Sequence, residues 1–508
     1  MGAAWDAIVV GGGVVGCAVL RELTVNHGWR CLLVEASAHL AAGASSGNTG
    51  IACTASDARP GTLEHACLTE GTRLNLPTYR QLNVPHRASG ALYVGYDATE
   101  LAALERERLM RMERGDATTA MLTAGEARAL EPALDAGVAG ALLVPGETVV
   151  DPWLVPIAYA RHAHEHGATI RRSTEVRAAV FAGGSWKLTL ASGLAGSQAH
   201  SDGTAHSAHE EPREPRVVVS QEESKVIVAC GGLHGDRLEG LHRTPPFGIR
   251  PRRGDFVLFD ESARLGKMPL GQVPTATSRG LYTWRSVHGV IACGPTAEEV
   301  SERATPPTAT DGTVREALRA AAIRAVPSLR DATVTGTYAG LRPGSDVSAD
   351  YVIEAAPTNP TWVTVGAIRS TGLTASLGIA RHVGRLCEQA VRDRDACGLT
   401  GHAVRGRDLP APRSSATLGR GCGSTAVESS DASTTTAQAG AVDGGAGGTP
   451  IQATPLPPVE ALVESYRKRQ DGYVDFGEDP LGCSFGAHYV THPLTRAGLE
   501  RRARLMQA

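Results

Sequence analysis

No segment of this 508-residue chain approaches the roughly eighteen uninterrupted apolar residues that a membrane-crossing helix needs, which excludes an integral membrane core. Its ten cysteines include no CxxC pair and no tight cluster, a pattern that argues against a zinc module or disulfide frame and for free thiols in a reducing compartment. Cys422 and Cys483 are too few for a four-cysteine iron–sulfur site towards the C-terminus. An excess of one charge is also lacking: 50 basic and 53 acidic residues give a net charge of -3, with no general attraction to nucleic acid or anionic membrane. Aromatic content is only 4%, in part because of long Ala/Gly/Ser/Thr stretches. The first strand begins by Ala7, leaving no room for a signal or transit peptide, and Asp6 stands where a myristoylation signal wants Ser or Thr. The expected compartment is the cytoplasm.

What is present begins with one unit. An apolar run, Ala7 to Val10, breaks into Gly11, Gly13 and Gly16 in GxGxxG spacing, and a helical pattern follows from Val14 to Val25 with Gly28 after it. Glycines at a strand end let backbone approach a pyrophosphate, and the helix points unpaired N–H groups at the phosphates. Glu35 lies nineteen residues beyond Gly16, at the tip of a second strand from Cys31 to Val34, where it can accept hydrogen bonds from ribose hydroxyls. An acid here fits FAD or NAD better than NADP. The alternative is a glycine-rich turn in an unrelated α/β protein.

The chain is long enough for two or three globular units, and 42% hydrophobic residues supply real cores. Between strand-like Trp186 to Leu190 and Lys225 to Ala229, residues 191–221 read as a disordered hairpin insertion. Residues 406–457 read as a flexible low-complexity linker, and 458–508 as a small C-terminal segment with helix patterning from Val459. Asp151-Pro152-Trp153 looks like a helix start that runs to a stop at Gly167. From Gly248 the pattern changes to short strands separated by turns, which suggests a separate antiparallel sheet. His162 and His166 share a helix face that could hold a metal, but favourable charge at a helix C-terminus accounts for them better, and no metal is expected.

Nine ordered motifs carry a resemblance over about residues 5 to 405. They are Gly11 to Gly16 with Glu35, Gly43 to Gly50, Asp57 to Thr62, Val150 to Trp153, Ile227 to Gly232, Ile249 to Gly254, Gly294 to Glu298, Ala339 to Pro343 and Ile368 to Thr374. In these the chain resembles the D-amino-acid-oxidase-like FAD-dependent oxidoreductases, and within them the FAD-dependent glycerol-3-phosphate dehydrogenases and the related L-2-hydroxyglutarate dehydrogenases. The resemblance implies an α/β plus α+β protein: a Rossmann-like FAD-binding domain of the glutathione-reductase type with an inserted antiparallel-sheet substrate domain. The FAD domain would comprise 1–85, 147–246 and 338–405, and the substrate domain 86–146 and 247–337.

The resemblance also distributes roles. Gly11, Gly13, Val14, Val15, Gly16, Glu35 and Ala36 would hold the ADP half of FAD, together with Ser45, Ser46, Gly47 and Asn48. Val176 corresponds to the position whose backbone meets the adenine, and Ala229, Cys230 and Gly231 follow a buried strand. Thr371, Gly372, Leu373 and Thr374 open a helix towards the flavin, whose reduced, negatively charged form its dipole would favour. Arg342 would grip the substrate's carboxylate or phosphate and meet the flavin, with Arg369 as a second cation; a surface ion pair of Arg342 with Asp346 or Asp350 is the alternative. Arg252 and Arg253 are loop charges or part of the pocket rim. Cys53 stands where many relatives carry the histidine that accepts the substrate's hydroxyl proton, which leaves His86, His234 and His288 as other candidate bases.

The implied activity is oxidation of a small anionic alcohol, glycerol 3-phosphate or the like, by hydride transfer to flavin. Alternatives are an L-2-hydroxyglutarate dehydrogenase, an amine or amino-acid oxidase of the same fold, and a flavin-binding protein whose catalysis is lost or redirected. The electron acceptor, whether quinone, oxygen or a protein, has no signature in the sequence.

Overall fold

The computed structural model describes residues 4–193, 217–260, 262–274, 280–304, 309–396, 454–469, 471–476 and 485–507. Its first sheet is built on Trp5–Val10, which pairs in parallel with Cys31–Val34 on one side and Val218–Ala229 on the other. Thr169–Arg171 and Asn359–Gly366 extend the parallel set at its two sides. Residues 7–10, Cys31–Val34 and 226–229 are continuously apolar because both faces are covered there, as parallel strands require. Alternate residues serve the two faces: Ala7, Val9, Leu33 and Val228 join one core, Ile8, Leu32 and Ile227 another. The first core is roofed by the helices Val14–Arg21, Leu154–Glu165 and Gly372–Ala396. The hairpin Thr174–Ala182 and Ser185–Ser192 packs Val176, Trp186 and Leu188 into the second.

The hairpin insertion is shorter than the sequence suggests. Ser185–Ser192 and Val218–Ala229 stay paired as far as Ser192 and Val218, so backbone hydrogen bonds claim residues at both ends of 191–221; the remainder, 194–216, lies outside the described residues.

Among the described residues the second sheet has nine strands. Its spine is Ile249–Phe259 against Val334–Ser345, antiparallel from Ile249 opposite Ser345 to Phe259 opposite Val334. The expected antiparallel sheet is in fact mixed, because Ala91–Gly95 runs parallel to Leu270–Gly271 where the two inserted segments of chain meet. A domain boundary at residue 338 falls inside Val334–Ser345, one strand that pairs with Ile249–Phe259 through to Ser345. Gly340 is the junction: a Cβ there would lie 2.0 Å from the Gly47 carbonyl oxygen, and one on Gly47 would lie 2.3 Å from the Gly340 Cα. The two backbones therefore touch, and nothing larger than glycine fits at either position.

Most of the expected linker, 406–453, lies outside the described residues, but its last four residues are built into the fold. The Leu456 N–H donates to the Leu82 carbonyl at 2.9 Å, and the Leu456 side chain is buried. Beyond it, Val459–Arg469 and Pro493–Leu505 deliver Leu462, Val463 and Leu499 to the core of the first domain. Each such side chain contributes roughly 1.5–3 kcal/mol of gross burial.

Three histidines are buried as neutral rings. Burial, then Arg21 and His166, pushes His162 down to about 3; burial pushes His488 to about 3 and His492 to about 4. The charge expected on His162 is thus absent: its Nδ1 instead accepts from Arg21 Nε at 3.0 Å. His166, whose Nδ1 lies 2.8 Å from the His162 carbonyl, does meet the last turn of its helix. These rings take up protons on unfolding at about pH 6.5 but resist them when folded, so stability falls as pH drops below about 6.5. By linkage the loss at pH 5 is about 2 kcal/mol per ring. Thermal melts should show a lower Tm at pH 5 than at pH 7.5; an equal or higher Tm would contradict the neutral-ring assignment.

Candidate active site

The parallel strands end at a cleft of about 1660 Å³ that continues between the two sheets. Local backbone geometry explains its glycine-rich end. Gly11 has φ of 112°, and a Cβ there would meet the Cys230 carbonyl oxygen at 2.3 Å; a Cβ on Gly16 would lie 1.9 Å from the Gly11 carbonyl oxygen. Both are close-packing glycines, whereas a Cβ on Gly13 would project beside Ser45 Oγ at 3.2 Å, into the cleft wall. The helix Val14–Arg21 starts here with no acid in its first turn, so its dipole and first-turn amides favour a phosphate.

Glu35 closes this end. Its Oε2 accepts the Gly12 N–H at 2.6 Å and its Oε1 the Ser37 N–H at 2.7 Å, which fixes the carboxylate while leaving lone pairs for ribose hydroxyls. Burial pushes its pKa up, and the Ser37 and Gly12 amides oppose that shift. Ser45, Gly47 and Asn48 line the adjoining wall. Ser45 Oγ accepts the Val14 N–H at 3.0 Å, and Asn48 Nδ2 donates to the Ser45 carbonyl at 3.0 Å. Together these groups form a cradle of small residues, amides and one fixed carboxylate that suits the ADP half of FAD.

The cleft is lined by Gly11, Gly13, Val14, Val15, Gly16, Glu35, Ala36, Ser45, Gly47, Asn48, Cys53, Cys230, Gly231, Arg342, Arg369, Gly372 and Leu373. Other expected side chains turn away from it. Ser46 Oγ donates to the Gly43 carbonyl at 2.9 Å, and Val176 and Ala229 are packed in the second core, although Glu175 and Arg177 beside Val176 line the cleft. Thr371 Oγ1 donates to Glu64 Oε1 at 2.6 Å, and Thr374 Oγ1 accepts the Cys53 N–H at 3.1 Å. These two hydroxyls brace the helix start, so what reaches the cleft is the start of Gly372–Ala396 itself, which runs beyond the expected stop near Cys387. Ala367, in the turn just before it, has φ of 59°, a left-handed strain in the cleft wall.

At the opposite end Arg342 lies across Gly254, where a Cβ would meet its Nη2 at 2.6 Å. Its Nη1 donates to the Arg253 carbonyl at 3.2 Å and its Nη2 to the Thr296 carbonyl at 3.3 Å. Of the two carboxylates named as alternative partners, Asp346 accepts the Gly248 N–H and Asp350 those of Leu63 and Glu64. Arg252 lines the cleft opposite Arg342 in strand register. Arg253 instead forms a buried pair with Asp255 at 2.7 Å. Arg369, largely exposed, donates to the Ala349 carbonyl at 2.5 Å.

The candidate bases separate. Cys53 is in the wall, its sulfur 3.5 Å from Thr374 Oγ1. His86 does not line the cleft; its Nδ1 lies 2.8 Å from the Val84 carbonyl. Nor does His288, buried 2.5 Å from Asp151 Oδ2. His234 lines it, with its pKa lowered by burial and then by Arg237 and Arg303; Glu175 is another electrostatic neighbour, which places the ring at the nucleotide end.

The sequence reading missed part of the floor. Arg111, buried, pairs with Asp57 at 2.8 Å and Glu107 at 2.8 Å, and Tyr282 meets the hydroxyl of Tyr93, which donates to Glu147 at 3.0 Å. The run from Glu105 to Glu113 looks like a solvated charged helix face, and the i,i+4 spacing of Glu107 and Arg111 was its one local signal.

Comparison with known proteins agrees with this arrangement. Residues 6–386 match the model of the FAD dependent oxidoreductase (DAO) family. The chain is 28% identical over 386 residues to a glycerol 3-phosphate oxidase of Mycoplasma pneumoniae, covering 75% of this chain and 94% of that one. It is 25% identical over 384 residues to a glycerol 3-phosphate dehydrogenase of Caloramator mitchellensis, covering 75% and 73%. An L-2-hydroxyglutarate dehydrogenase of Nematostella vectensis is 27% identical over 304 residues, 58% of this chain and 62% of that one. Among solved structures, the FAD-bound, dithionite-reduced L-α-glycerophosphate oxidase of Mycoplasma pneumoniae superposes with a TM-score of 0.64 at 25% identity, covering 76% of this chain and 95% of that one. A glycine oxidase of Geobacillus kaustophilus shares the fold, with a TM-score of 0.62 at 20% identity and coverage of 76% and 95%. A parallel-stranded dinucleotide domain joined to a sheet that brings Arg342 to the same cleft, together with a family match over three-quarters of the chain, establishes that this protein belongs to the DAO family of FAD-dependent oxidoreductases.

Proposed function

We propose that this enzyme oxidises a small anionic alcohol of the glycerol 3-phosphate type. The observation that carries the reading is Arg342, held over Gly254 in the wall of the FAD cleft with Arg252 opposite it. A planar guanidinium can take two oxygens of a phosphate or carboxylate in parallel hydrogen bonds, and so orient the carbon next to the reacting one. The glycerol 3-phosphate oxidase and dehydrogenase relatives support this substrate class.

In this reading Gly11 to Gly16, Glu35 and Ser45 to Asn48 hold the ADP half of FAD, and the start of Gly372–Ala396 meets its ring end. The bound flavin supplies the hydride acceptor. The protein's part is to fix the substrate anion at Arg342, and Arg369 adds positive charge in the same wall. In this reading Cys53, beside Thr374, is the candidate proton-handling side chain.

Cys53 also favours a second reading. An amine enters as its free base and gives up hydride without first losing a hydroxyl proton, so an amine or amino-acid oxidase tolerates the missing histidine. L-2-hydroxyglutarate is a further alcohol consistent with the anion site, and a flavin-binding protein with redirected catalysis remains the third alternative. The electron acceptor is a separate partner, to be identified by its own assay.

Steady-state assays with an artificial dye acceptor test the anion requirement. Glycerol 3-phosphate should exceed glycerol in kcat/KM by more than about a thousandfold, the scale of a lost charge-assisted bidentate contact. Equal values would contradict the assignment of Arg342.

A further inference from the structure

The residues that follow the family match reach back to the cleft. Between the strand Ala487–Tyr489 and the helix Pro493–Leu505, Thr491 Oγ1 donates to the Ala41 carbonyl at 3.1 Å. The next residue, His492, is fully buried and caps its own helix, its Nδ1 accepting the Leu494 N–H at 3.2 Å. Burial keeps this ring neutral. Its Nε2 meets the Asn48 backbone at both polar atoms, 3.2 Å from the Asn48 nitrogen and 3.1 Å from the Asn48 carbonyl oxygen. The Tyr338 hydroxyl donates to the same carbonyl oxygen at 3.2 Å.

From Asn48 the connection runs to the cofactor end of the cleft. The Asn48 amide holds the Ser45 carbonyl, and Ser45 Oγ holds the first amide of the helix that begins at the dinucleotide glycines. The C-terminal helix is itself anchored on the main body, by Thr495 Oγ1 to Asp151 Oδ1 at 3.0 Å and Arg501 Nη1 to the His288 carbonyl at 3.1 Å.

We propose that His492 is a positioning residue for FAD: through its contact with the Asn48 backbone it holds the loop 43–50 in its cofactor-receiving shape, so that a segment outside the family-matched residues 6–386 completes the cofactor site. The proposal rests on the reading that this loop faces the bound FAD.

Two side chains divide the functions of the imidazole. His492→Asn keeps an acceptor near the position of Nδ1 and loses the contact with the Asn48 backbone, whereas His492→Gln places an amide, able to donate and accept, near Nε2 and loses the helix cap. FAD is titrated into the full-length apo-proteins and followed by flavin fluorescence, with the apo-protein Tm measured alongside. The Kd for FAD should rise about tenfold in His492→Asn and stay within about twofold in His492→Gln, the range expected for one hydrogen bond lost or kept. A purely structural cap would instead lower the apo Tm in His492→Gln and spare His492→Asn. The reverse order of Kd values, or equal values, overturns the proposal. Ser45→Ala tests the underlying reading: if it weakens FAD binding while His492→Asn does not, only the positioning role falls. If Ser45→Ala binds FAD as the parent does, the loop's role and the proposal fall together.

Discussion

Arg342→Ala is expected to lower kcat/KM for glycerol 3-phosphate by about a thousandfold, roughly 4 kcal/mol of transition-state stabilisation, while the purified protein remains yellow. The separation of the two effects follows from where the side chain sits. Its guanidinium is held by the carbonyls of Arg253 and Thr296 at the second-sheet end of the cleft, away from the glycines and Glu35 that line the nucleotide end. Those two carbonyls fix the plane of the guanidinium. Arg342→Lys should recover part of the loss, because an ammonium restores charge but not the planar fork. Anaerobic stopped-flow reduction of the flavin by the substrate separates the effect on chemistry from that on binding. An Arg342→Ala enzyme with parental kcat/KM would remove the anion-gripping role.

Gly11→Ala carries the second large effect, on the cofactor. At φ of 112° an L-residue is strained, and its Cβ would lie 2.3 Å from the Cys230 carbonyl oxygen, which belongs to backbone and cannot swing away. Either the end of Trp5–Val10 or the turn at Cys230 must shift, and both line the phosphate end. FAD affinity should fall by more than about a hundredfold, or roughly 3 kcal/mol, and the protein should purify colourless. Gly183→Ala is the matched control: its φ of 64° is also left-handed, but a Cβ there meets nothing within 4 Å. It sits in a hairpin turn remote from the cleft and should keep its FAD. Absorbance of the purified proteins and FAD titration check both variants; yellow Gly11→Ala protein with parental affinity would contradict the close-packing account.

Much of this arrangement is legible in local sequence because its cause is local. Gly11, Gly13, Gly16 and Glu35 announce a dinucleotide site through backbone geometry, and the alternation of Ala7, Ile8 and Val9 between two cores follows from strand periodicity. The cap at Asp151, whose Oδ1 accepts from the Trp153 and Leu154 amides, was equally readable. What was not readable depends on chain segments far apart in sequence. His288 and His86 look as eligible as His234 until folding sends them elsewhere. The charge expected on His162 disappears because folding buries the ring and sets Arg21, 141 positions away, to donate to it. Thr371 and Thr374 fit the pattern of a cofactor-facing helix start, yet tertiary contacts with Glu64 and Cys53 take their hydroxyls. The C-terminal segment offered only helix periodicity, and its contact with Asn48 spans 444 positions.

Among the described residues, no helix is long and apolar enough to cross a membrane. The FAD cleft, its arginine end and the C-terminal brace together describe an oxidoreductase whose cofactor chemistry is settled by family and whose substrate rests on Arg342 and Cys53. The most direct measurement is anaerobic titration of the purified holoenzyme, followed at the flavin band near about 450 nm. The account predicts that glycerol 3-phosphate bleaches the band, and that sarcosine and amino acids leave it unchanged. Bleaching by sarcosine or an amino acid, with none by glycerol 3-phosphate, would contradict it.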